Sequence, residues 1–158
     1  MARTPQKKKK YITIVQDTLS GNRFVYLVTQ RLMRHGKKKL AYSILQKSLN
    51  NIQDKIQQDP LLILEKAIRN TTPSVEIKTR RIGGAVYPIP IELDMDRGIS
   101  RGIRWILTAA KKRSGNTLDV NLANEFIDAS KKIGNAFHQK EEVQKIADAN
   151  ARRVGKKK

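Results

Sequence analysis

Residues 75–93 read VEIKTRRIGGAVYPIPIEL, and this stretch decides the fold because its period differs from that of the sequence around it. Val75–Ile82 alternates in polarity and is rich in β-branched residues, which is typical of a strand. Gly83-Gly84 is a two-residue hairpin signal, and residues 85–93 form the predicted return strand. The stretch therefore predicts a two-stranded β-hairpin.

Two prolines in the return strand fit this prediction. Pro88 and Pro90 lie two residues apart, so the missing N–H groups face the same edge of the strand. Because each strand of a two-stranded ribbon has one free edge, prolines on that edge remove no ladder hydrogen bond and protect the edge from aggregation. A simple two-residue turn sets Ile89 opposite Lys78, and the alternative is a bulge or a slip of register.

Helical periodicity fills the sequence on both sides of the hairpin. Upstream, a cap at Ser20 or Asn22, a Gly36 stop and an Asp59-Pro60 start predict three helices, over residues 20–34, 37–56 and 59–70. Downstream, the same signals predict three more, over residues 97–113, 118–133 and 139–152. We therefore expect a mainly α single domain, over residues 19–150, of about six helices with one protruding two-stranded β-hairpin arm.

The charge points to the class of partner. The 158 residues hold 33 Lys+Arg and 14 Asp+Glu, for a net charge of +19. Part of this charge lies in a basic N-terminal arm (residues 1–18) and a basic C-terminal tail (residues 151–158). Residues 1–10 and 151–158 together contain no acid and ten cations: Arg3, Lys7, Lys8, Lys9, Lys10, Arg152, Arg153, Lys156, Lys157 and Lys158. Removing those ten from +19 still leaves +9 for residues 11–150. A domain this basic favours a polyanionic partner, most often nucleic acid.

Cations without acidic neighbours form three candidate contact surfaces. Between Asp17 and Asp54, and again between Asp96 and Asp119, the sequence contains no acid. The first surface is the junction between the first two helices, with Arg34, His35, Gly36, Lys37, Lys38 and Lys39. The second is the hairpin, with Lys78, Arg80, Arg81 and the bare tip Gly83 and Gly84. The third is a stripe on the fourth helix and its basic end, with Arg97, Arg101, Arg104, Lys111, Lys112 and Arg113.

Each surface also has a plainer interpretation: a solvated turn, an ordinary exposed hairpin and the wet face of a helix. The stripe lacks an acid at i+4, so the usual intrahelical ion pairs do not explain it. The junction could add the first amides of the next helix to its cations as phosphate ligands. Trp105 borders the stripe and either stacks on a base or packs against the body.

Catalytic chemistry has few carriers here. The sequence contains no cysteine and only two histidines, His35 and His138, so we expect no cofactor and no metal. Three alternating acids at the hairpin exit are compatible with a metal-dependent nuclease, although a polar strand end is the commoner interpretation: Glu92, Asp94 and Asp96. No apolar run approaches the ~20 residues of a membrane-spanning helix, so we expect no membrane partner.

The chain resembles the family of the seventh protein of the small ribosomal subunit. The resemblance spans residues 18–150 and rests on the hairpin (75–84, then Tyr87, Pro90 and Glu92), Gly36-Lys37-Lys38, Arg104-Trp105, Lys111-Lys112-Arg113, residues 122–125, Asp128-Ala129 and residues 146–150. It implies a helical fold with a β-ribbon arm and no enzymatic activity. It also implies binding to the 3′ major domain of small-subunit rRNA, early assembly of the head, and neighbouring proteins of the head and platform.

By the same resemblance, the three surfaces are rRNA contacts, and the hairpin tip with Arg81, Gly83 and Gly84 faces the exit-site tRNA close to the mRNA exit channel. We expect further rRNA contacts from the two basic tails, namely Arg3, Lys7, Lys8, Lys9, Lys10, Arg152 and Arg153. Two departures stand out. Pro88 replaces a usually polar residue and stiffens the arm. The basic tail from Arg152 replaces the usual Ala-Phe-Ala-His-Tyr ending, which favours added RNA contact over the C-terminal contact with the platform protein. The Lys- and Ile-rich composition favours a plastid over the bacterial cytoplasm.

One rival function comes from the residues themselves. A basic helical body with a β-arm could also be an architectural protein that bends DNA. Such arms usually carry an apolar wedge at the tip, and Gly83-Gly84 offers none.

Overall fold

A computed structural model of the chain describes residues 21–82 and 84–154, with the backbone alone for residues 82 and 151–154. The described part contains six helices and one two-stranded antiparallel sheet. The elements, in chain order, are α1 Arg23–Leu32, α2 Lys38–Ile56, α3 Pro60–Thr71, β1 Val75–Ile82, β2 Ala85–Glu92, α4 Met95–Lys112, α5 Leu118–Ser130 and α6 Asn135–Val154. The predicted fold class is confirmed.

Local sequence signals determine where α1 and α3 begin. Asn22 Oδ1 accepts a hydrogen bond from the Phe24 N–H at 2.9 Å, so Asn22 and not Ser20 caps α1. Asp59 Oδ1 does the same for the Leu61 N–H at 2.9 Å, with Pro60 in the first helical position. Each carboxamide or carboxylate oxygen satisfies a donor that the helix itself leaves unpaired.

The hairpin keeps the simplest register. Pairing runs without interruption from Val75 opposite Glu92 to Ile82 opposite Ala85, and Lys78 lies opposite Ile89. No bulge or slip intervenes along the described strands. The apolar partner of Lys78 is tolerated because Lys78 itself lies exposed on a ribbon with water on its flanks.

The core forms around α5, which packs against α2, α3 and α4. Phe126 and Leu122 from α5 are buried together with Leu45 and Ile52 of α2 and with apolar side chains of α3 and α4. Burying a side chain of this size contributes about 1.5–3 kcal/mol. The core therefore holds the helices in place, and their cationic side chains lie on the outside of it.

Glycine lets α4 approach the end of α3. A Cβ built on Gly98 would lie 2.7 Å from the Pro73 carbonyl oxygen, and one on Gly102 would lie 3.1 Å from Thr71 Oγ1. These two glycines are one helical turn apart, so they face α3 along one line of α4. Helix α4 also packs against α1.

The boundary between α5 and α6 differs from the prediction. Helix α5 ends at Ser130 and not near residue 133, and α6 begins at Asn135 and not near residue 139. Lys132 and Gly134 have φ of 61° and 97°, which turns the chain sharply between the helices. The α6 start is stabilised from another helix, because Glu125 Oε1 accepts the Ala136 N–H at 3.1 Å. A cap supplied by a different helix leaves no local sequence signal.

Candidate nucleic-acid interface

Five arginines from two helices surround one open cleft of about 390 Å³. Helix α1 contributes two of them and α4 three, and we call this set the arginine cleft: Arg23, Arg31, Arg97, Arg101 and Arg104. The predicted stripe supplied only the α4 members. Packing of α1 against α4 adds the two α1 arginines to those of the stripe, and together they line a concave surface.

Arg23 and Arg31 were missing from the predicted site. A signal was present, because both lie in the acid-free block after Asp17 and are two helical turns apart on one face. Their position opposite α4 depends on tertiary packing, so no one-helix pattern could join them to Arg97 or Arg104.

Contacts between different elements position part of the cleft, and its two acids come from the first turn of α4 (Asp96) and from β1 (Glu76). Arg23 Nη2 lies 2.5 Å from Asp96 Oδ1, Arg101 forms an ion pair with Glu76 of β1, and Arg31 donates to the Ser100 hydroxyl. The stripe has no i+4 acid along its helix, but β1 supplies one for Arg101 across space. Arg97 and Arg104 are exposed and form no ion pair with a described residue.

The junction between α1 and α2 forms a second concave surface. His35 and Gly36 have φ of 51° and 73°, so two successive left-handed residues reverse the chain between the helices. The reversal brings the junction next to the end of α4. Arg34, His35, Lys37 and Lys111 line an open groove of about 460 Å³, which we call the junction groove. Lys38 and Lys39 follow in the first turn of α2.

The hairpin presents its cations to solvent on both faces. Lys78, Arg80 and Arg81 are exposed, and the two-residue period of a strand sets Arg81 on the face opposite the other two. Gly84 has a φ of 84°, and nothing in the described chain lies within 4 Å of a Cβ built there. Gly84 therefore has open space around it.

Arg113 has a structural position. Its Nε and Nη2 donate to Glu125 Oε2 at 2.8 and 2.6 Å, and Nη2 also contacts Asp128. The Glu125 side chain is completely buried, and that of Arg113 is 27% exposed. Burial lowers the pKa of Arg113, but the hydrogen bonds to Asp128 and Glu125 outweigh it, so the pKa lies above its usual value. This guanidinium neutralises a buried carboxylate, whereas Lys111 and Lys112 beside it are exposed.

Lys140 of α6 is likewise committed to the fold. Burial, followed by the nearby charge of Lys132, lowers the pKa of Lys140. Its Nζ donates to the Asn70 carbonyl oxygen at 2.7 Å and lies 5.9 Å from the centre of the Phe137 ring. The ammonium thus satisfies a carbonyl near the end of α3.

Trp105 packs against the core and is half-buried. It lines a small crevice of about 100 Å³ between α4, the base of the hairpin and Val143 of α6. Of the two interpretations, packing against the body is the one the structure supports, and the residue lies close to the base of the arm.

Several predicted contacts cannot be placed. Arg3, Lys7, Lys8, Lys9 and Lys10 of the N-terminal arm, and Gly83 of the tip, lie outside the described residues. Helix α6 continues to Val154, so Arg152 and Arg153 belong to its last turn, but their side chains lie outside the description.

The three acids at the hairpin exit, Glu92, Asp94 and Asp96, occupy different structural positions. Asp94 precedes the first residue of α4, Asp96 pairs with Arg23, and Glu92 ends β2. Within residues 21–82 and 84–154, no group of three His, Asp or Glu side chains could hold a metal ion. No helix among those residues combines the length and the apolar character needed to cross a membrane.

Comparison with known proteins decides the family. The family model described as Ribosomal protein S7p/S5e matches residues 2–151 of the chain. The chain belongs to this family. The resemblance inferred from the hairpin and helix motifs is therefore confirmed, and so is the absence of enzymatic activity, because the family is structural and non-enzymatic. Membership sets aside the DNA-bending alternative.

Individual relatives agree along nearly the whole length. Small ribosomal subunit protein uS7c of Chlorella vulgaris is 45% identical over 150 residues, which cover 95% of this chain and 95% of the relative. The uS7c of Tupiella akineta is 42% identical over 150 residues, which again cover 95% of this chain and 95% of the relative. The uS7 of Synechococcus sp. (strain JA-3-3Ab) is 45% identical over 134 residues, covering 85% of this chain and 86% of the relative.

The relatives named uS7c are chloroplast proteins of the small ribosomal subunit, and they confirm the plastid ribosome as the expected location over the bacterial cytoplasm. A structural role in the ribosome follows at this level of detail.

Proposed function

We propose that this chain binds the 3′ major domain of small-subunit rRNA, nucleates assembly of the head, and lies near the exit-site tRNA and the mRNA exit channel during translation. The observation that carries the proposal is the convergence of cations from α1, the α1–α2 junction and α4 into two concave surfaces. The arginine cleft and the junction groove open on a body that is itself basic.

The mechanism is recognition of RNA shape through phosphates. Base edges of A-form RNA are hidden in a deep, narrow groove, so affinity comes from phosphate contacts and specificity from their spacing. Glu76 and Asp96 support this by holding Arg101 and Arg23 in place, which reduces the side-chain entropy lost on binding. Arg97 and Arg104, which are exposed in the same cleft, remain available to bind phosphates.

The first test compares partners. The full chain is titrated with a 3′-domain transcript and with a DNA duplex of equal length at two salt concentrations. We expect a strong preference for the transcript that survives the higher salt. Equal binding of both that disappears with salt would show a merely electrostatic attraction and would overturn the proposal.

The second test concerns the hairpin arginines. Arg80→Gln and Arg81→Gln should each weaken transcript binding and lower the salt slope by about one unit, the contribution of one phosphate contact. Arg69→Gln on α3 is the matched control, because Arg69 pairs with Glu65 away from the three surfaces. An unchanged slope for both hairpin variants would remove the arm from the interface.

The third test locates the tip. The natural chain has no cysteine, so a single introduced cysteine is a unique attachment point. Val86→Cys, at an exposed position near the tip, is labelled with an iron chelate that cleaves nearby RNA, and the subunit is reconstituted with tRNA. We expect cleavage of exit-site tRNA from Val86→Cys and none from the control Leu62→Cys on α3. Cleavage confined to rRNA would refute the proximity to tRNA.

A further inference from the structure

The junction groove differs from the arginine cleft because its lining combines apolar and basic residues without an acid. We call the apolar set its floor and the basic set its rim. The floor consists of Leu32, Leu40, Ala41, Ile44 and Leu118, and the rim of Arg34, His35, Lys37 and Lys111. None of these nine lining residues is acidic. The arginine cleft, by contrast, contains Glu76 and Asp96.

Leu40 is the unusual member of the floor. It lies in the first turn of α2 with 56% of its surface exposed, while Leu32 and Ala41 beside it are buried. A groove of about 460 Å³ with this lining fits a ligand that joins a flat apolar body to an anion.

We propose that the junction groove receives one unstacked nucleobase of the bound RNA, with its flanking phosphates on the cationic rim. This inference rests on the proposed function and names the part of the RNA that this groove takes. Bases splayed out of loops and bulges are the usual targets of specific RNA recognition; they stack on aromatic side chains or arginine planes, and an extruded base also packs against apolar side chains.

The rim matches both parts of a nucleotide. Lys37 and Lys111 approach from α2 and α4, so phosphates on either side of the base meet a cation. His35 is exposed on the left-handed turn, where its ring can stack on the inserted base. The absence of acid from the lining disfavours a basic protein segment as the occupant.

The test separates the base from the phosphates. Leu40→Gln removes the apolar floor without changing charge, and Leu62→Gln is the matched control because Leu62 is 65% exposed on α3 and lines neither groove. Both full-length variants are titrated with the 3′-domain transcript at two salt concentrations. Base reactivity towards dimethyl sulfate and carbodiimide is mapped on the same complexes.

We expect Leu40→Gln to weaken binding about tenfold, the effect of losing one stacked base, with an unchanged salt slope. One base that the natural chain protects should become reactive in this variant alone. Lys37→Gln should instead lower the slope by about one unit. Leu40→Met should behave as the natural chain, because it keeps an apolar floor, and circular dichroism checks that each variant is folded.

The contrary results are distinct. If the natural chain prefers the transcript but Leu40→Gln shows the same affinity and protections, the inference is overturned while the proposed function stands, and the groove is left to an acidic protein segment. If the natural chain shows no preference for the transcript, both fail together.

Discussion

The buried ion pair between Arg113 and Glu125 yields a sharp prediction about stability. Arg113→Met leaves a completely buried carboxylate with the Ala136 N–H, at 3.1 Å, as its remaining donor among the contacts described above. Breaking a buried pair by removing one partner costs about 3–5 kcal/mol. Because the Arg113 side chain is 27% exposed, water reaches that side, and we expect the lower end, about 3 kcal/mol.

The assay uses the single tryptophan of the chain. Trp105 of α4 is half-buried near the base of the hairpin, so its fluorescence follows urea unfolding. We expect a lower midpoint at an unchanged m-value, and a melting temperature lower by about 6–12 °C. Arg69→Met is the control: its exposed i,i+4 pair with Glu65 contributes at most about 0.5 kcal/mol.

A cost for Arg113→Met no greater than that for Arg69→Met would refute the reasoning, since water would then solvate Glu125. The double variant Arg113→Met/Glu125→Leu should recover part of the loss, because no buried charge remains. It leaves the Ala136 N–H unpaired, which costs about 1–3 kcal/mol. In the folded protein, Arg113→Met should leave the salt slope of RNA binding unchanged.

Three further predictions follow from the described contacts. Gly98→Ala should destabilise the fold by about 1–3 kcal/mol through overpacking against the Pro73 carbonyl, whereas the exposed Thr108→Ala should be neutral or slightly stabilising in the same urea assay. A hydrogen bond from Thr117 lowers the pKa of Asp119, so this carboxylate stabilises the fold above its unfolded pKa, and the contribution is lost as the pH falls through the lowered value. Asp119→Asn should therefore cost about 0.5 kcal/mol at neutral pH and nothing in acid below that pKa; equal costs at both would contradict the assignment. Arg104→Gln should lower the salt slope of transcript binding by about one unit without changing the urea midpoint, and a shifted midpoint would reveal a structural role instead.

Local signals were sufficient for most of the secondary structure. The side-chain caps at Asn22 and Asp59 and the Gly83-Gly84 turn each act within a few residues, so a linear pattern contains them. The hairpin register also followed from the simplest turn. The start of α6 could not be predicted, because its cap comes from Glu125 on another helix.

The sequence alone determined that this protein is basic, mainly helical, provided with a β-arm and related to a ribosomal family, since composition, period and motif are linear properties. Tertiary structure decided which cations act together. Arg23 and Arg31 join the α4 arginines in one cleft because α1 packs against α4, which no pattern along a single helix contains. Arg113 pairs with the buried Glu125 of α5, whereas Arg97 and Arg104 of α4 face solvent, so tertiary packing separates a structural charge from exposed ones.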